Sequence, residues 1–267
     1  MDTGNLLFAF AITLAAGLAT AIGSLIAFLK KDQSPAFLAA MLGFSAGVMI
    51  YVSMIEIFPK AQVALVADLG EQWGPWVTVL GFFGGMGLIA AIDLLVPKEA
   101  NPHEMAPVTS GLNTEQRARL MRMGVFTAAG IAIHNFPEGF ATFLSALQDP
   151  EVAIPIAVAI AIHNIPEGIA VSAPIYYATG SRKKAFWFSA ASGLAEPLGA
   201  LVGYFVLSTF VSDTLMGMSF AAVAGIMIFI SLDELLPSAR EFGKHHVAIL
   251  SLVAGMAVMA LSLLLLG

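Results

Sequence analysis

The chain has 267 residues, of which 58% are hydrophobic and 11% charged, with a mean hydropathy of +0.87 and a formal net charge of -6. That composition excludes a soluble globular domain and predicts an integral membrane protein; nothing in it suggests a nucleic-acid partner. The absence of cysteine removes disulfides, thiolate metal ligands and cysteine nucleophiles together.

Eight apolar runs are long enough to cross the roughly 30 Å hydrocarbon core of a bilayer. In order they are Leu6 to Leu29, Pro35 to Phe58, Pro75 to Leu95, Met121 to Leu147, Val152 to Tyr177, Ala185 to Phe210, Thr214 to Leu236 and Val247 to Leu266. The first is expected to stay as a span, because Asp2 stands where a signal peptide carries a basic n-region and no small-residue cleavage site follows. Lys30, Lys31, Lys98, Arg117, Arg119, Arg122, Arg182, Lys183, Lys184, Arg240 and Lys244 fall in one set of alternate loops, and only Lys60 in the other. By the positive-inside rule the first set is cytoplasmic, and eight spans then put both termini outside. Trp73 and Trp76 at the outer edge of span three, and Tyr176, Tyr177 and Trp187 at inner edges, suit interfacial belts.

The longest loop, 97–120, is cytoplasmic, punctuated by Pro97, Pro102, Pro107 and Gly111, with a helix expected to start from an N-cap at Asn113 or Thr114. His103 in that loop, and His245 with His246 in the last inner loop, read as solvated histidines rather than metal ligands. Gly43, Gly47, Gly81, Gly84 and Gly85 permit close helix approach, within the protomer or between protomers.

The chain repeats itself. Ala46 to Pro59 (AGVMIYVSMIEIFP) aligns without a gap on Ala224 to Pro237 (AGIMIFISLDELLP), and Gly17 to Gly23 on Gly193 to Gly199. Spans one and two therefore recur as spans six and seven, five spans later and in the opposite sense, which is the inverted repeat of many secondary transporters. The expected architecture is all-α, one transmembrane domain over 1–267, with repeats 1–97 and 181–267 around a central helix pair 121–177. Symmetry suggests Glu56, near the outer end of span two, and Asp233 with Glu234, near the inner end of span seven, as carboxylates at the two mouths of a pathway.

The central pair carries a decapeptide twice, Ala132 to Ala141 (AIHNFPEGFA) and Ala161 to Ala170 (AIHNIPEGIA). Each copy puts a His and a Glu four apart, on one helix face and one turn apart, which is a chelating geometry. Pro137 and Pro166 lack an N–H and clash with the carbonyl four residues back, so kinks with free carbonyls at Ile133 and Ile162 are expected. An ionisable residue at membrane depth is a functional-site hypothesis by default. His134, His163, Glu138 and Glu167 suit Zn²⁺ and also Fe²⁺, Mn²⁺ or Co²⁺. Asn135, Asn164 and Glu196, the last in mid-span six beside Pro197, add oxygen ligands. A two-metal site bridged by Glu138 and Glu167 would place the imidazoles on one metal and Asn135, Asn164 and Glu196 on the other. The alternative is a hydrogen-bonded His-Glu network that ties the helices without metal. Burying several carboxylates without a cation costs several kcal/mol each, which disfavours it.

On these motifs the chain resembles the ZIP family of divalent-metal transporters, in its bacterial zinc uptake branch. The two HN-x-PEG signatures carry the resemblance, and the span order, the Glu-Pro of span six and the long third inner loop extend it. It implies a multi-pass protein of the bacterial inner membrane, often a homodimer, that brings Zn²⁺ and related ions such as Fe²⁺, Mn²⁺, Co²⁺ and Cd²⁺ into the cytoplasm as substrates, with no prosthetic group. It places a first metal on His134, Glu138, His163 and Glu167, and a second on Asn135, Asn164, the same carboxylates and Glu196. Met49 matches a position bordering the first. The third loop lacks the His-rich tract of many members, and Asp233 stands where some relatives have His. The competing class is an intramembrane metal-dependent hydrolase, because such a site can activate water. No HExxH motif, nucleophile elbow or phosphate loop supports it, and no basic residue lies at mid-depth to receive an organic anion.

Overall fold

The computed structural model describes residues 3–28, 34–95, 113–148, 150–207, 212–242 and 245–266. His103 and the segment 96–112 of the long loop lie outside them. The described chain is helical: α1 (Thr3–Ala27), α2 (Pro35–Val52), α3 (Phe58–Leu95), α4 (Thr114–Gln148), α5 (Pro150–Thr179), α6 (Arg182–Gly193), α7 (Ala195–Val202), α8 (Asp213–Phe229), α9 (Leu236–Phe242) and α10 (His245–Leu266). Among the described residues, five stretches are long and apolar enough to cross a membrane: Gly4–Ala27, Pro35–Leu94, Arg182–Phe205, Thr214–Arg240 and His245–Leu265. The 60-residue stretch is broken at Gly70, whose φ of 79° is a conformation that favours glycine, and Gly74 then packs back against Val66. α4 and α5, which carry the decapeptides, are 35 and 30 residues long. At 1.5 Å per residue they reach about 52 and 45 Å, beyond the hydrocarbon thickness.

Proline chemistry explains several irregularities. Pro59 and Pro237 would each clash with a carbonyl four residues back, and in both places the helix widens into a π turn just upstream, Ser53–Ile57 and Ile230–Leu235. Ser53 Oγ donates to Met49 O (2.6 Å), and its repeat counterpart Ser231 Oγ to Met227 O (2.7 Å). A third π turn, Gly203–Leu207, follows α7. Pro197 separates α6 from α7 at Leu194. α4 and α5, by contrast, stay helical through Pro137 and Pro166. Ser34, Ser181 and Ser212 cap α2, α6 and α8. Asn113 exchanges bonds with Gln116 in a reciprocal box (Oδ1 from N, 2.8 Å; N to Oε1, 3.0 Å).

Close helix crossings divide the helices into two sets. In the first, α1, α4, α5, α6 and α7 meet backbone to backbone through small residues such as Gly23 on Ile165 and Gly199 on Phe136. In the second, α2 meets α10 and α3 meets α8. There Gly47 rests on Leu252 as Gly225 rests on Phe82, and Gly255 on Phe44 as Gly85 on Ala222. Within each comparison the positions differ by constant offsets, 178 from Gly47 to Gly225 and Phe44 to Ala222, and 170 from Phe82 to Leu252 and Gly85 to Gly255. Between the sets, the contact at Gly130 is with the side-chain ends of Ile230 and Ile89, and the core there holds Leu42, Met49, Phe126, Ile131 and Ile175. Trp73, Trp76 and Trp187 are exposed, as an interfacial role requires. Tyr176 and Tyr177 are not. Both are buried, Tyr176 stacked edge-on against Phe28 and Tyr177 donating its hydroxyl to Ser34 O (3.1 Å), so they pack the C-terminal end of α5 against its neighbours.

Candidate metal centre

α4 and α5 bring the decapeptides together, and the pairing is crossed. His134 Nε2 lies 2.9 Å from Glu167 Oε1, and His163 Nε2 lies 3.1 Å from Glu138 Oε1, so each histidine meets the glutamate of the other copy. Crossing follows from opposite helix directions, and a spacing of four residues sets the two pairs about 6 Å apart along the axis. They differ in access. The His134 and Glu167 side chains are 0% exposed, whereas His163 and Glu138 retain 6% and 12%.

The asparagines use their nitrogens on neighbouring backbone. Asn135 Nδ2 donates to Ser192 O (3.2 Å), and Asn164 Nδ2 to Ala16 O (2.9 Å) and to Glu196 Oε1. Their oxygens are left over. Asn135 Oδ1, Asn164 Oδ1, Glu167 Oε2, Glu196 Oε2 and His134 Nδ1 are all buried without a hydrogen-bond partner. With Nε2–H directed at Glu167, Nδ1 of His134 is an acceptor as well. Each unsatisfied buried group costs about 1–3 kcal/mol, more when charged. A concentration of acceptors with no donor to meet them is complementary to a cation. Glu196 also lies within electrostatic reach of Glu138 and Glu167. The contacts are nevertheless pairwise: among the described residues no three His, Asp or Glu side chains converge as a ready metal cluster.

The glycine of each PEG has a packing reason. A Cβ on Gly139 would overlap the backbone of Glu196, and one on Gly168 the carbonyl of Thr20. Close approach at Gly139 is what lets α7 deliver Glu196 beside α4.

The remaining expected residues lie on the second helix set. Met49 is fully buried one turn beyond Ser45, whose Oγ donates to Pro166 O (2.8 Å) and so ties α2 to α5 beside Glu167. Glu56 sits in the first π turn, paired with Lys60. Asp233 and Glu234 sit in the π turn Ile230–Leu235; Asp233 is exposed, and Glu234 Oε1 is 3.8 Å from Arg122 Nη1. Arg122 was visible in the sequence only as one more inner-loop cation. Its Nη2 donates to Asp93 O (2.9 Å) and to Asp93 Oδ1 (2.5 Å), so it joins α4, the end of α3 and the π turn after α8. His245 and His246 are exposed at the start of α10, away from these pairs in the sequence.

Comparison with known proteins decides the family. Residues 96–263 match the family described as "ZIP Zinc transporter". The chain belongs to the ZIP family. Relatives carrying the name zinc transporter ZupT align with this ZIP chain nearly end to end. That of Streptococcus mutans is 60% identical over 261 residues, 98% of each chain. The protein of Chlorobium chlorochromatii is 61% identical over 265 residues, 98% of this chain and 99% of its own, and that of Clostridium perfringens 57% over 278 residues, 99% and 98%. ZIP proteins are transporters, not enzymes, and the hydrolase alternative finds no support.

Proposed function

We propose that this chain imports divalent metal ions, Zn²⁺ foremost, as a secondary transporter, with His134, Asn135, Glu138, His163, Asn164, Glu167 and Glu196 as the ligands. The observation that carries the reading is the pair of crossed His-Glu contacts surrounded by five buried acceptors without donors. The full-length kinship to proteins named zinc transporters supports it. The ion takes the place of the imidazole hydrogen bonds to the carboxylates, so ligation releases protons. Glu138 and His163, the more exposed pair and the one within electrostatic reach of Lys60, meet it first; His134 and Glu167 receive it deeper. Met49, Glu56, Asp233 and Glu234 line the approaches.

The same proposal takes eight spans in an inverted 3+2+3 order, with both termini outside and the 97–120 loop in the cytoplasm of a bacterial inner membrane. The recurrent glycine crossings at offsets of 170 and 178 support that order. A homodimer in the lipid bilayer, implied by the family resemblance, belongs to it too. Uptake of Zn²⁺, Fe²⁺ and Mn²⁺ into vesicles, with metal stoichiometry on the same protein, tests the site. Glu138→Ala/Glu167→Ala should abolish uptake of every metal; wild-type zinc flux in a folded double variant would show that the pairs are structural.

A further inference from the structure

The α1 and α6–α7 crossing is symmetric in detail, and one position breaks the symmetry. Asn135 reaches Ser192 O as Asn164 reaches Ala16 O, and a Cβ on Gly139 would strike Glu196 as one on Gly168 would strike Thr20. Ala16, Gly17 and Thr20 stand to Ser192, Gly193 and Glu196 at a constant offset of 176. Gly17 and Gly193 face these two side chains in the same way: an added Cβ on Gly17 lies 3.3 Å from Glu196 Cβ, and one on Gly193 lies 2.8 Å from Thr20 Cβ and 3.0 Å from Thr20 Oγ1. Thr20 is thus the counterpart of Glu196. On the Glu196 side the carboxylate spans to Asn164. On the Thr20 side the hydroxyl stops two bonds short, a difference of about 2.5 Å in reach. Thr20 Oγ1 and Asn135 Oδ1, both in fully buried side chains, are left without partners.

We propose that Thr20 lines the metal centre opposite Glu196, facing Asn135, and that the residue at position 20 sets how much negative charge the oxygen-rich half of the centre carries, and so which divalent ions it holds. A hydroxyl leaves that half with Glu196 as its one carboxylate besides the bridging Glu138 and Glu167, and favours the imidazole-rich position for Zn²⁺. A carboxylate at 20 would complete a second, harder oxygen set on Asn135 suited to Mn²⁺. The inference rests on the metal-transport reading above.

The test is a symmetry swap. Mn²⁺ and Zn²⁺ binding is titrated calorimetrically on detergent-purified full-length protein, with bound metal counted, for Glu196→Thr, Thr20→Glu and the swap Thr20→Glu/Glu196→Thr. Glu196→Thr should weaken Mn²⁺ on the order of tenfold or more, given that losing even an outer partner of a ligand costs about 10–100-fold. The swap should restore Mn²⁺ to within about threefold of the parent, and Thr20→Glu alone should tighten it about tenfold. Thr20→Ser should keep the parental Zn²⁺ to Mn²⁺ ratio while Thr20→Val shifts it. A loss in Glu196→Thr that the swap leaves unrepaired overturns the inference alone. Unchanged Mn²⁺ binding in Glu196→Thr overturns the oxygen-rich position and the inference with it. If neither Thr20→Glu/Glu196→Thr nor Thr20→Asp/Glu196→Thr folds, position 20 has no room for a carboxylate and the inference also falls.

Discussion

Gly139→Ala tests whether the closeness of α7 to α4 is what builds the centre. The added carbon would lie 2.5 Å from Glu196 Cα and nearer still to the carbonyl oxygen. Apolar carbons rest at about 3.5–4.0 Å, so the helices must part by about 1 Å. The obstacle is backbone, which has no rotamer to change. Overpacking of this kind costs about 1–3 kcal/mol, and at roughly 2–4 °C per kcal/mol for a chain of this size the Tm should fall by roughly 2–12 °C. A 1 Å shift of Glu196 exceeds the roughly 0.5 Å tolerance of a functional site, so zinc uptake should fall in the same variant. Gly87→Ala is the control: no atom beyond its own helical turn lies within 4 Å of its added carbon, and alanine is the better helix former by about 1 kcal/mol. Melting at a fixed scan rate and vesicle zinc uptake read both. Parental Tm and uptake in Gly139→Ala would refute the reasoning, as would an equal loss in Gly87→Ala.

His134→Ala and His163→Ala should depress zinc uptake more than Mn²⁺ uptake, because imidazole suits Zn²⁺ and oxygen suits Mn²⁺; equal losses in metal-competition assays would contradict this. Zinc uptake should fall as external pH drops, because ligation releases protons and protons therefore compete with the ion for the site; a flat pH profile would oppose it. Arg122→Ala releases Asp93 and Glu234, whereas Arg122→Lys keeps the charge, so the maximal rate of uptake should change in the first and largely survive in the second. Glu56→Ala and Asp233→Ala/Glu234→Ala should each alter apparent affinity or maximal rate in zinc-flux titrations, and unchanged values would remove their role at the mouths.

The decapeptides could be read from sequence because a chelating His and Glu at helical spacing are conspicuous in an apolar run. Their crossed pairing needed the opposed directions of α4 and α5, which a spacing rule within one helix does not contain. The π turns before Pro59 and Pro237 follow from proline geometry, yet proline at 137 and 166 leaves α4 and α5 helical, so the local rule does not say which way a helix will yield. Arg122 was hidden because a loop cation and a bridging cation look alike until α3 and the π turn after α8 are brought beside it. The kinship of α3 and α10 was hidden for a different reason. It shows in the placement of Gly85 and Gly255 and of Phe82 and Leu252, with too little side-chain identity to align.

The seven proposed ligands all ride on α4, α5 and α7, inside the first of the two helix sets, while Met49, Glu56, Asp233 and Glu234 belong to the other. Within a set, sliding would have to lift carbonyl ridges over one another; along the seam, the ends of Ile89 and Ile230 can change rotamer and the Ser45 hydrogen bond to Pro166 O can break and reform. The stiff directions of the molecule and the soft one are therefore distinct. Any shear along that seam would carry the ligand cage as a unit and change what surrounds it without changing its inner distances. Access and affinity become separately adjustable, and substitutions along the seam should tune how fast the cage is exposed while leaving how tightly it binds.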